Sequence, residues 1–157
     1  MGVYSLGDQE LDAHGIRFGL VVARYNLDVT KKLLDGAERV LRDHGVTDEH
    51  MTVVWVPGAF EVPLVARRLA LGRHVDAVIC LGAVVRGDTP HFEYVAGECA
   101  AGIMRVSLEV DMPVIFGVLT TDNLEQAQAR VGGAEGHKGE HAARSAIEMV
   151  ALLRQLR

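Results

Sequence analysis

Residues 77–85, Ala-Val-Ile-Cys-Leu-Gly-Ala-Val-Val, form an apolar run without alternation, and Arg-Gly-Asp-Thr-Pro closes it at residues 86–90. Such a run fits a strand buried on both faces, the kind a parallel sheet covered by helices requires. Helical spacing resumes at His91, so the stretch reads as a strand-to-helix turn loaded with polar groups. Ligands of open α/β sheets sit outside the carboxyl ends of the strands, which puts Arg86, Asp88, Thr89 and His91 where a substrate would be held. The plainer alternative is a solvated turn in which Asp88 or Thr89 caps the helix.

The same unit recurs along the chain. Residues 16–23 have the β-branched content of a buried strand. Over residues 27–44, Val29, Leu33, Leu34, Ala37, Val40 and Leu41 fall at helical spacing, with Asn26 or Asp28 as N-cap and Gly45 as the stop. Residues 51–56 give a second strand and 60–71 a helix, with Pro63 in the first turn, where a missing N–H costs nothing. The third strand covers 75–85, and the helix over 91–110 carries Ala96, Gly97, Ala100, Ala101 and Gly102, which permit a tightly packed neighbour. A fourth strand over 114–119 leads through 120–123 to a helix over 124–131, a Gly-rich loop over 132–139 and a last helix over 140–156. Strands alternating with crossovers of this length are parallel and right-handed. The expected architecture is a three-layer α/β/α sandwich on a four-stranded parallel sheet of flavodoxin-like topology. A loose N-terminal arm, 1–15, precedes a single domain over 16–157.

At 157 residues, 49% hydrophobic and 24% charged, the chain can bury one core and is not disordered. A net charge of −5 without a basic block argues against nucleic acid, and no apolar run is long enough for a membrane span. Partners are expected to be small molecules or protein. The opening residues lack a secretory pattern, and Leu6 stands where a myristoylation signal wants Ser or Thr, so a cytoplasmic location is expected. Cys80 and Cys99 lack CxxC spacing and read as buried thiols.

In a parallel sheet the loops after the strands converge, bringing together Tyr25 with Asn26, Ala59-Phe60-Glu61, residues 84–91, and Phe116 with Thr120 and Thr121. Tyr25, Phe60 and Phe116 could stack on a flat heterocycle, and Glu61 could accept hydrogen bonds from a polyol. Each aromatic taken singly also fits a core position. His91 opens a helix, and imidazole is the side chain suited to carry protons near neutral pH. Gly87-Asp88-Thr89 can offer N–H groups and a hydroxyl to a phosphate, with Arg130 and Lys138 as cationic partners beside the Gly-rich loop, unless they are simply solvated surface. His137-Lys-Gly-Glu140-His141 matches the zinc string HxxEH, but Gly139 at a helix start and the lack of a third ligand argue against a metal. Neither GxGxxG nor a P-loop is present.

Five ordered blocks carry a family resemblance: Ala23-Arg-Tyr-Asn26, Val56-Pro-Gly-Ala-Phe-Glu-Val-Pro63, Gly82-Ala-Val-Val-Arg-Gly-Asp-Thr-Pro-His-Phe-Glu-Tyr94, Val114-Ile-Phe-Gly-Val-Leu-Thr-Thr-Asp-Asn123, and His137-Lys-Gly139 before Ser145-Ala-Ile-Glu-Met149. From about Arg17 to its C-terminus the chain resembles the 6,7-dimethyl-8-ribityllumazine synthases. The resemblance implies condensation of 5-amino-6-(D-ribitylamino)uracil with 3,4-dihydroxy-2-butanone 4-phosphate, with loss of phosphate and water and no metal or redox cofactor. It implies that Tyr25 and Phe116 contact the pyrimidine, while Ala59, Phe60, Glu61, Ala83, Val84 and Val85 hold it and its ribityl chain. Asp88, Thr89, Arg130 and Lys138 would bind phosphate, and His91 would be the proton donor. Tyr25 stands where the family often has Phe or Trp. Asp88 beside a phosphate implies that it offers its backbone N–H with the carboxylate turned away. The resemblance also implies a homopentamer with sites shared between subunits, a shell of twelve pentamers given the short 132–139 loop, and riboflavin synthase as a candidate associate. The rival readings are a non-catalytic flavin-binding or shell-forming relative, which would need neither His91 nor Arg130, and a receiver domain, which would want acidic residues where Arg24-Tyr25-Asn26 stands.

Overall fold

All six residues of β1 (Phe18–Ala23) are buried, because the strand lies inside a sheet with helices on both faces. Its parallel neighbours are β2 (Met51–Val56) on one side and β3 (Ala77–Val85) on the other, with β4 (Val114–Thr121) beyond β3. The order β2-β1-β3-β4 is the expected four-stranded parallel sheet. The computed structural model describes residues 1–6 and 11–156. Among them, no helix is long and apolar enough to cross a membrane.

Alternate side chains of each strand feed two separate cores, as the two-residue period of a strand dictates. Phe18, Leu20, Ile79 and Leu81 pack against α1 (Leu27–Asp43) and α5 (Lys138–Gln155). Val21, Val78 and Cys80 pack against α2 (Val62–Leu71) and α3 (His91–Val110). The result is the three-layer flavodoxin-like sandwich. The helices α1 and α5 meet closely, since a Cβ on Gly139 would fall 2.1 Å from the Leu33 carbonyl oxygen. Cys80 and Cys99 are buried free thiols, and burial pushes Cys99 up to about 11 and Cys80 higher still.

The boundaries depart from the sequence reading at its least periodic places. Asn26 holds the N-cap position of α1 as expected, but in the left-handed region at φ 61° and with its side-chain amide donating to β3 in place of a cap bond, while Asp28 lies within the first turn. The short α4 (Leu124–Ala129) ends before residue 131, and the Asn123 side chain accepts a hydrogen bond from the Gln126 N–H at 2.8 Å. The Gly-rich loop is a small antiparallel hairpin of β5 (Val131–Gly133) and β6 (Gly136–His137), and α5 starts at Lys138 instead of 140. Of the expected arm, residues 7–10 lie outside the described residues. Ala13 is fully buried, its N–H donates to the His44 carbonyl at 2.9 Å, and Leu11 packs on the core, so the chain is anchored ahead of Ile16.

Candidate functional site

β3 outruns β1: their pairing stops at Val22↔Leu81, whereas β3 and β4 pair through Val85↔Thr121. The chain leaves β1 toward β2 on one side and β3 lies on the other, so the crevice between their ends is the topological switch point. Beyond the last β1–β3 pair, the Asn26 amide donates to the Ala83 carbonyl at 2.9 Å. The N–H groups of Arg24 and Tyr25 donate to the carbonyls of Val56 and Pro57 at 2.8 and 3.1 Å, stitching the β1–α1 turn to the loop after β2. The turns therefore hold Tyr25, the Pro57–Glu61 loop and the end of β3 in fixed relation.

Together these segments enclose a cleft of about 690 Å³. It is lined by Tyr25, Ala59, Phe60 and Glu61, by Ala83, Val84 and Val85 at the end of β3, and by Thr89 and His91. Tyr25 and Phe60 are 73% and 58% exposed. Ring faces left open inside a concave, mostly apolar site suit the stacking of a flat ligand. His91 is the first residue of α3, and its N–H donates to Thr89 Oγ at 3.4 Å. Tyr94 and Val95 line the same cleft. The sequence reading passed over both, although a spacing of three and four from His91 puts them on its helix face. Gly87 and Thr89 line the cleft while Asp88 between them does not.

Of the expected members of the site, Arg86, Asp88, Phe116, Arg130 and Lys138 do not line this cleft. Arg86 is held by Glu93 at 2.5 Å and Asp122 at 3.2 Å, and its guanidinium lies 4.3 Å from the centre of the Phe92 ring. It braces the β3–α3 turn against the loop after β4. Phe116 does not share the converging strand ends. It is the third residue of β4, opposite Cys80, and at about 3.3 Å per residue it lies roughly 16 Å short of Thr121. It is 46% exposed because β4 is an edge strand.

Phe116 lines a second hollow, a groove of about 310 Å³, with Thr121, Arg130, Lys138, His141 and Ser145. Groove and cleft share no lining residue. A guanidinium N–H of Arg130 donates to the Gln126 carbonyl at 2.9 Å, and the Lys138 N–H donates to the Arg130 carbonyl at 2.8 Å. Two of the HxxEH groups are otherwise employed. His137 Nδ1 accepts from the Glu140 N–H at 3.3 Å, and the Glu140 carboxylate pairs with Arg39 and Arg144.

An aromatic-walled cleft at the switch point of a parallel sheet, with an imidazole at its edge, defines a flavodoxin-like α/β protein that works on small molecules. Residues 15–154 match the family described as 6,7-dimethyl-8-ribityllumazine synthase. A 6,7-dimethyl-8-ribityllumazine synthase of Clostridium kluyveri is 52% identical over 147 residues, covering 94% of this chain and 96% of the relative. One of Protochlamydia amoebophila is 50% identical over 147 residues, covering 94% of this chain and 86% of the relative. The chain belongs to the 6,7-dimethyl-8-ribityllumazine synthase family. It is accordingly a transferase of riboflavin biosynthesis, condensing 5-amino-6-(D-ribitylamino)uracil with 3,4-dihydroxy-2-butanone 4-phosphate.

Proposed function

We propose that the cleft holds the ribitylaminouracil, that Arg130 and Lys138 hold the phosphate of the second substrate, and that the complete site forms where one copy's cleft meets the next copy's groove. The observation that carries this reading is the division of labour within one chain. The imidazole and two stacking rings face one hollow, and the cations with Phe116 face another. The reaction needs both sets at once, because an amine condenses with a ketone, phosphate leaves and a second amine closes the ring. These steps call for proton transfer and for two partners held in register more than for a strong nucleophile. In this reading Tyr25 and Phe60 cover the pyrimidine, Glu61 takes ribityl hydroxyls, and residues 83–85 offer backbone groups. His91 moves the protons, Phe116 of the neighbour closes the ring face, and Thr89 with the Asp88 N–H assists Arg130 at the phosphate.

A cleft of one copy against a groove of the next is a contact between unlike patches, and repeated head to tail it closes into a ring. An exposed apolar stripe on α3, Gly97, Ala101, Met104 and Leu108, gives such a ring a surface to bury. Five copies per ring, twelve rings to a shell and a cytoplasmic location follow from the family resemblance. The test is Arg130→Ala assayed by lumazine fluorescence. Loss of a charge-assisted clamp, roughly 1.5–3 kcal/mol, raises KM for the phosphate substrate roughly 10- to 150-fold and leaves pyrimidine affinity near the parental value. Equal loss for both substrates overturns the assignment.

A further inference from the structure

We propose that His137 is a positioning residue for the phosphate-binding pair, acting only while its ring is neutral, so that affinity for the phosphate substrate falls as His137 protonates. The inference rests on the reading of Arg130 and Lys138 given above and adds the element that holds them. His137 is the N-cap of α5, and Nδ1 accepts the N–H of Glu140, one of the amides a helix start leaves without a partner. The residue is at the same time the last of β6, paired across the hairpin with Val131. Arg130 immediately precedes β5 and Lys138 immediately follows β6, and their backbones are joined by the Lys138 N–H to Arg130 carbonyl bond at 2.8 Å. One side chain thus fixes the point from which both cations project.

The ring has little freedom to do anything else. A Cβ on Gly36 of α1 would fall 2.1 Å from His137 Cε1, so the imidazole presses its Cε1 edge against α1 in space that only glycine leaves open. An imidazole nitrogen accepts a hydrogen bond only when it carries no proton. Protonation removes the cap and adds a positive charge at the amino end of α5, where the helix dipole opposes it. The charged groups whose fields act on the ring are Glu140 and His141 from α5 and Arg39 from α1. Burial, with Arg39 and His141, outweighs Glu140 and holds His137 below the ordinary histidine value. The cap is intact at neutral pH and is lost as pH falls through a value below the ordinary histidine range.

KM for both substrates is measured from pH 8 to pH 5.5 in the parental enzyme, His137→Asn, His137→Ala, Gly36→Ala and Arg130→Ala, with far-UV circular dichroism at each pH. Asparagine supplies a cap acceptor that does not titrate. At pH 8, His137→Asn keeps the parental KM for the phosphate substrate within about twofold, while His137→Ala and Gly36→Ala raise it roughly 3- to 10-fold, with kcat and pyrimidine KM little changed. The ratio of parental to His137→Asn KM then climbs as pH falls toward 5.5. Ionisation of the substrate phosphate is common to both proteins and cancels in that ratio. A ratio flat with pH, or His137→Ala raising both KM values alike, overturns the proposal. If Arg130→Ala leaves the phosphate KM unmoved, the phosphate assignment itself fails and His137 loses its role with it.

Discussion

An imidazole serves as a proton carrier when its ring is left to the substrate, and at His91 the described hydrogen bond engages the backbone N–H and not the ring. His91 lines the cleft together with Val85 and Thr89. His91→Ala should therefore lower kcat roughly 10²- to 10⁴-fold with small changes in both KM values, the signature of a lost general acid or base. Parental turnover in that variant would leave His91 as a helix start and nothing more. Its neighbour in the same motif has a different fate, because Arg86 spends its guanidinium on Glu93, Asp122 and Phe92. Which polar residue of a turn faces the ligand depends on partners as far away as Asp122, and no local spacing reveals them. His91 was legible because the helix start is local, whereas the exposure of Phe116 away from the cleft was not, because no local spacing shows which strand lies at the sheet edge.

At the scale of elements, the amino ends of β1 and β3 are tied outside the ladder. Asp76 accepts the Arg17 backbone N–H at 2.8 Å and two side-chain N–H groups at 3.2 and 3.3 Å. Burial pushes the Asp76 carboxyl up, but these bonds and the charges of Arg17 and Arg154 outweigh it and hold the group below its usual 3.8. A carboxyl with a depressed folded-state pKa contributes stability that is full above the unfolded value and is lost as pH falls through the folded one. Asp76→Asn should then destabilise by about 1 kcal/mol at pH 7, with the gap to the parental protein closing as pH drops below about 4. Urea unfolding at pH 7 and pH 3 measures it, and a gap that stays constant would mean the charge contributes nothing. The long elements were legible because each carries several turns of period or an unbroken apolar run. The β5–β6 hairpin was not, since strands of three and two residues offer no period and their glycines read as loop.

For the whole molecule, the separation of cleft from groove has a consequence that a self-sufficient monomer would not share. If His91 acts from one copy and Arg130 from the next, a ring built from His91→Ala subunits has phosphate clamps without proton carriers, and a ring of Arg130→Ala subunits has the reverse. Either ring alone should be impaired. In rings assembled from both, a His91→Ala copy whose cleft meets an Arg130→Ala groove gives a doubly defective site. The opposite arrangement restores an intact one, and random mixing makes about a quarter of the sites intact. Co-expressing the two variants with distinguishable tags, isolating mixed rings and confirming their composition by native mass spectrometry should thus recover about a quarter of parental turnover. The recovered sites should also show the parental KM for the phosphate substrate, because each contains an unaltered Arg130. Mixed rings that turn over no faster than the average of the two single-variant rings would place His91 and Arg130 in the same site of the same chain, and the shared-site reading would fall.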